Sequence, residues 1–120
     1  MKGFFRYWAP LYIYAGIIFF VSGMSKPLPE IDILSFDKLL HVLEYGIFAI
    51  LAGRAFKNSS KEKIFENFKI LAALTTIGYG ISDEFHQSFV VGRHFSVFDM
   101  IADSVGGILG VFIYGRYHPV

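Results

Sequence analysis

The chain has 120 residues, of which 54% are hydrophobic, 18% aromatic and only 18% charged, with a net charge of +1 and a mean hydropathy of +0.50. That length admits one domain, and so little charge excludes an ordinary soluble domain. The near-neutral balance offers no basic footprint for nucleic acid, and the absence of cysteine excludes disulfide and thiolate chemistry.

The first apolar run, Trp8 to Met24, carries no charge. Lys2 and Arg6 ahead of it imitate the start of a signal peptide. The run is long for that role, and "VSGMSKP" offers no small-x-small cleavage site, so an uncleaved helix over about 7–25 is expected. Pro27 and Pro29 in "KPLPE" forbid its continuation. Ser35 or Asp37 is expected to cap a second helix over about 37–56, apolar apart from His41, Glu44 and Arg54. A short polar turn, "KNSSKEK", leads to a third helix over about 64–90. At that length it would measure about 40 Å and would have to tilt or protrude. Gly92 in "VGRH" breaks it, and Ser96 is expected to cap a fourth helix over about 97–115.

A spanning helix needs about 20 residues to cross about 30 Å of hydrocarbon, and each run qualifies with its flanks. No run alternates with period two, which argues against a transmembrane barrel. The expected fold is all-α: a single domain, 1–120, forming a four-helix transmembrane bundle. Orientation follows from the Lys/Arg bias. With both termini inside (N-in/C-in), the cytoplasmic side holds Lys2, Arg6, Arg54, Lys57, Lys61, Lys63, Lys69 and Arg116, against Lys26, Lys38 and Arg93 outside.

That topology carries the polar residues of three helices to the outer leaflet. Asp37, His41 and Glu44 are spaced i, i+4, i+7 on one face of the second helix, with Tyr45 and Phe48 beside them. Asp83, His86 and Gln87 share a face late in the third, one turn after Tyr79; Glu84 points about 100° away and reads as solvated or turned to another helix. Asp99 and Asp103 open the fourth, and their stripe continues into Gly106, Gly107 and Gly110. Arg93 and His94 lie in the loop between the last two helices.

Ionisable groups at membrane depth turn inward, pair with one another and mark functional sites. Here Asp37, Glu44, Asp83, Glu84, Asp99 and Asp103 outnumber the fixed cations Lys38 and Arg93. Protonated carboxyls, charged histidines, a metal or a cationic ligand would have to balance them. Structural roles compete at several positions. Asp37 suits a helix N-cap, Asp99 suits the helix dipole, and Arg93 suits a counter-ion as well as an anion clamp. His41, His86, Asp83, Asp99 and Asp103 are metal-ligand types, but no local motif such as HExxH joins them, so no metal ligand or cofactor is assigned. "GGILG" contains GxxxG, read as close packing within the bundle rather than as a dimer seam.

The segments "DKLLHVLEYGIFAIL", "DEFHQSF" and "GRHFSVFDMIADSVGGILG" together resemble the VanZ-like family of small membrane proteins. The matching positions are Asp37, Lys38, His41, Glu44, Tyr45, Asp83, Glu84, Gln87, Phe89, Arg93, Asp99, Gly106 and Gly110, in order across three helices. This chain departs from the pattern at Asp103, where the family often has Asn. The resemblance implies the bacterial cytoplasmic membrane, the cell envelope, and a link to glycopeptide resistance of the teicoplanin type.

Residues and resemblance together lead to one expectation and two alternatives. The expectation is acid–base chemistry on a lipid-linked envelope substrate, carried by His41, Asp83, Asp103 and Glu44. Arg93, Gln87, Asp37, Lys38, Asp99 and Tyr45 would hold the substrate. The first alternative is a non-catalytic module that binds a membrane lipid or lipoglycopeptide. A proton- or ion-coupled transport element fits less well, because the acids gather at one leaflet.

Overall fold

The computed structural model describes residues 3–23, 34–91 and 97–118, with the side chains of residues 34–37 left aside. Arg93, His94 and Ser96 lie outside the described residues, as does the side chain of Asp37. The fold is all-α. A π-helical stretch, Phe4–Trp8, runs into α1 (Ala9–Ser22). It is followed by α2 (Leu34–Lys57), the short α3 (Glu62–Glu66), α4 (Phe68–Gln87) and α5 (Val97–Tyr117).

The π-helical start has a local cause. Pro10 has no N–H to give the Arg6 carbonyl, and its ring crowds that oxygen. Arg54 Nη1 of α2 donates to it instead, at 2.8 Å. The guanidinium also lies over the Tyr7 ring, 4.8 Å from its centroid, so the foot of α1 is held to the last turn of α2.

Three boundaries correct the sequence reading. The first helix ends at Ser22 rather than about residue 25. α2 begins at Leu34, so Ser35 and Asp37 fall within its first turn instead of at the cap. The expected continuous helix over 64–90 is broken at Asn67, whose backbone leaves helical geometry (φ −104°, ψ 23°). Its Nδ2 donates to the Lys63 carbonyl at 2.7 Å, a side-chain bond that competes with the backbone ladder. The break leaves α4 with 20 residues, about 30 Å long, so the excess length disappears.

Small residues set the packing. α5 lies most intimately against α2, α4 packs on both, and α1 touches mainly α2. A Cβ at Gly106 would stand 2.3 Å from the Val42 carbonyl oxygen, and one at Gly110 would stand 2.3 Å from that of Gly46. The GxxxG stripe is therefore spent inside the chain, on α2. Ala49, Ala52, Ala55 and Ala72 are wholly buried around it with Tyr45 and Phe48.

The outside is apolar. Ile13, Ile17, Phe20, Leu43, Ile70, Leu74, Ile108 and Phe112 stand exposed, a surface suited to lipid rather than water. Among the described residues, three helical stretches are long and apolar enough to cross a membrane: Phe4–Ser22, Lys38–Lys57 and Val97–Tyr117. α4 has the length, but its last turns are polar.

Candidate functional site

The N-terminal half of α2, the C-terminal half of α4 and the N-terminal half of α5 meet at one end of the bundle. Their polar side chains pair in register, like rungs. Lys38 of α2 forms an ion pair with Asp99 Oδ1 of α5. One turn on, His41 Nδ1 lies 2.7 Å from Asp103 Oδ1, and its Nε2 lies 3.6 Å from Asp99 Oδ2. One turn further, the Tyr45 hydroxyl donates to Asp83 Oδ2 of α4 at 2.9 Å. The steps Lys38, His41, Tyr45 and Asp99, Asp103 follow helical spacing, so two close-packed helices are bound to present them in sequence.

Glycine brings the third helix in. A Cβ at Gly80 would meet the Asp103 Cβ at 3.0 Å and the Tyr45 ring at 3.4 Å. The bare backbone lets α4 close over the His41–Asp103 pair. Asp103 is left 1% exposed, Asp83 5%, Gln87 4% and Glu84 not at all. Burial at this depth leaves some polar capacity unused: Asp83 Oδ1 and Asp103 Oδ2 have no hydrogen-bond partner among the described residues.

Most of the expected site residues converge. His41, Asp83, Asp99, Asp103, Lys38 and Tyr45 form the connected set just described, and Gln87 is buried beside it at the end of α4. Glu44 sits differently. Its carbonyl accepts from the Tyr14 hydroxyl of α1 at 2.8 Å, and its carboxylate is an electrostatic neighbour of Tyr14, Tyr45 and Tyr79. It belongs to the side of α2 that meets α1 and α4. His86 stacks on Phe19 of α1, with ring centroids 4.2 Å apart, so the histidine held by a carboxylate is His41 alone of the two. The Tyr79 hydroxyl donates to the Ala15 carbonyl at 2.5 Å and serves the α1–α4 contact.

Of the two orientations open to Glu84, solvated or turned to another helix, the structure shows the second: it is fully buried, and a carboxylate oxygen lies within 4.8 Å of ligand atoms of both His41 and Asp99. The reason is that α4 packs against two helices, so its buried face is wider than one stripe. Ala72, Thr76, Gly80 and Glu84 stand at successive steps of four, all buried. That run of small residues was the available signal: it leads straight to Glu84.

The arrangement has the parts of an acid–base site. The imidazole is held between two carboxylates of one helix, and a lysine and a tyrosine hydroxyl lie one turn to either side. An ionised Asp103 can only accept, which places the proton on His41 Nδ1 and leaves a lone pair on Nε2.

Comparison with curated proteins and with solved structures finds no match. The family model described as VanZ/LLP1 does match, over residues 4–118. The match takes in the helix before the polar ladder, which the quoted motifs omit, as well as the three helices that build it. With its membrane-length apolar helices and a match over nearly its whole length, the chain belongs to the VanZ/LLP1 family of membrane proteins.

Proposed function

We propose that the protein crosses the bacterial cytoplasmic membrane four times, with both termini inside, and performs acid–base chemistry on a lipid-linked envelope substrate at the outer leaflet. The observation that carries the chemistry is the His41 ring held between Asp103 and Asp99. Nε2 takes or gives the proton, Asp103 fixes the ring through Nδ1, and Lys38 and Arg93 draw an anionic headgroup. The family's association points this chemistry to glycopeptide resistance of the teicoplanin type.

Several features support the membrane reading. α4 turns Asp83, Glu84 and Gln87 inward while Ile70, Leu74, Ile81 and Phe85 remain exposed, so a fourth crossing sets no charge against lipid at its polar end. The end away from the site gathers Arg54 with Lys57 and Lys69, the latter two close to the Phe68 ring, as the positive-inside rule requires of a cytoplasmic face. Tags at either terminus are expected to stay inaccessible to a membrane-impermeant label applied to intact cells. Labelling of a C-terminal tag from outside overturns the topology.

A groove of about 330 Å³ on α4 and α5, lined by Ile81, Val97, Met100, Ile101, Ser104, Val105 and Ile108, favours a lipid chain as the apolar part of the substrate. It equally favours the second reading, a non-catalytic lipid or lipoglycopeptide binder. Transport fits less well, since the core below the ladder is filled by Phe48, Ala49, Ala52, Ala55 and Val111. Glycopeptide susceptibility of cells expressing single variants separates the first two. Catalysis predicts all-or-none loss with Asp83→Asn at unchanged membrane abundance, and little effect from Ile101→Ala. Graded loss from both variants points to binding and refutes catalysis.

A further inference from the structure

One group of three ligand atoms at this end of the bundle is not accounted for by proton transfer alone. His41, Glu84 and Asp99 come from three different helices, and each offers one ligand atom, all within 4.8 Å of one another. We propose that His41 Nε2, an Asp99 oxygen and a Glu84 oxygen bind a divalent transition-metal ion, Zn²⁺ or Mn²⁺.

The distances suit shared ligation better than a direct bond. His41 Nε2 and Asp99 Oδ2 are 3.6 Å apart, too far for a hydrogen bond. Ligands that bind one ion at about 2.0–2.2 Å lie about 3.0–3.5 Å from each other in tetrahedral or cis-octahedral geometry. Closing the set around an ion asks for movements of about half an ångström to one ångström at the widest pair, within reach of side-chain rotation.

Asp103 supplies an independent sign. It lies 2.7 Å from His41 Nδ1, is 1% exposed and gives its other oxygen no hydrogen-bond partner among the described residues. A buried carboxylate bonded to the far ring nitrogen fixes a metal-binding histidine's tautomer and aims Nε2 at the ion. Lys38 holds Asp99 by Oδ1, which leaves Oδ2 toward the histidine. Asp83 Oδ1 is likewise buried and unpartnered among the described residues, so a further carboxyl group stands near the cluster. One imidazole with two carboxylates is a donor set of mixed hardness, suited to Zn²⁺ or Mn²⁺ and short of oxygens for Ca²⁺.

The test uses tag-free, full-length protein in detergent micelles, stripped with chelator and titrated with Zn²⁺ or Mn²⁺ alone by calorimetry, with bound metal counted by mass spectrometry after dialysis. Wild type is expected to hold one ion per chain. His41→Ala, Asp99→Asn and Glu84→Gln are each expected to weaken binding about tenfold or more, while His118→Ala, at the far end of α5, is expected to bind as wild type does. X-ray absorption of the metal-loaded wild type tests the same claim without any variant, since it requires a single imidazole in the first shell. Retention of no metal by wild type overturns the proposal and leaves His41 as an ion-pair partner of Asp99 and Asp103. A shell with two or more imidazoles, or undiminished binding in folded His41→Ala, also overturns it. A bound ion would take the Nε2 lone pair assigned above to proton transfer and would supply an ion-bound water as the base in its place; because metal alone is the probe, failure to bind metal overturns this proposal and leaves proton transfer by His41 standing.

Discussion

Gly106→Ala is expected to be among the most damaging single-methyl changes in this chain. The added Cβ would stand 2.3 Å from the Val42 carbonyl oxygen and 2.9 Å from both its carbonyl carbon and its Cα. Overpacking usually costs about 1–3 kcal/mol because flexible side chains give way. Here the obstacle is backbone in the middle of a helix, so a loss at or above the top of that range, about 3 kcal/mol, is expected, roughly two powers of ten in the folded population. The damage reaches the site, because Asp103 lies one turn before Gly106 and His41 is next to Val42. Parting α2 and α5 by even 1 Å opens the 2.7 Å contact between His41 and Asp103.

The prediction has an internal control. A Cβ at Gly16 or Gly78 meets nothing within 4 Å, and alanine favours a helix interior over glycine by about 1 kcal/mol. Those two variants are expected to match or exceed wild type when unfolding is followed by circular dichroism in mixed micelles of rising denaturing-detergent content. Stability of Gly106→Ala within about 0.5 kcal/mol of wild type would refute the packing account. A change confined to oligomeric state would return GxxxG to a dimer role.

The expected convergence of three polar helix ends follows from hydropathy and the Lys/Arg bias, and the ladder from Lys38–Asp99 to Tyr45–Asp83 bears out their meeting at one end. Which acid meets which base was not legible. Spacing assigns a residue to a face, whereas pairing depends on the axial register of two helices. That register was written in Gly106 and Gly110, whose missing side chains fix where α5 locks onto α2. Whether Glu84 faces water or a neighbouring helix is not legible from one stripe, because α4 packs on two neighbours and buries a wider face. The break at Asn67 was missed because a single asparagine in an apolar run is a weak breaker by composition; its effect comes through the bond to the Lys63 carbonyl. Both gaps arise where a local rule meets a tertiary or side-chain competitor.

His41→Ala is expected to remove function and also about 3–5 kcal/mol of stability, the usual result of breaking a buried pair by deleting one partner. The two losses must be separated, since Asp103 is 1% exposed and would be left in the core with no imidazole beside it. The informative variant is the double change His41→Gln with Asp103→Asn. It keeps the approximate volume, leaves amide groups able to bond across the α2–α5 seam and removes the buried carboxyl. Folded yield and unfolding midpoint are expected to return to within about 1 kcal/mol of wild type, a coupling of opposite sign to the single losses. Function should not return, because no amide moves a proton near neutral pH, and the deficit expected from losing a general acid–base group is about 10²–10⁴-fold. Glycopeptide susceptibility is read beside membrane abundance for the single and double variants. If the double variant regains the phenotype along with the fold, His41 is only a structural partner of Asp103, and the acid–base reading falls. If it regains the fold alone, the His41–Asp103 pair is required for function beyond its part in the fold.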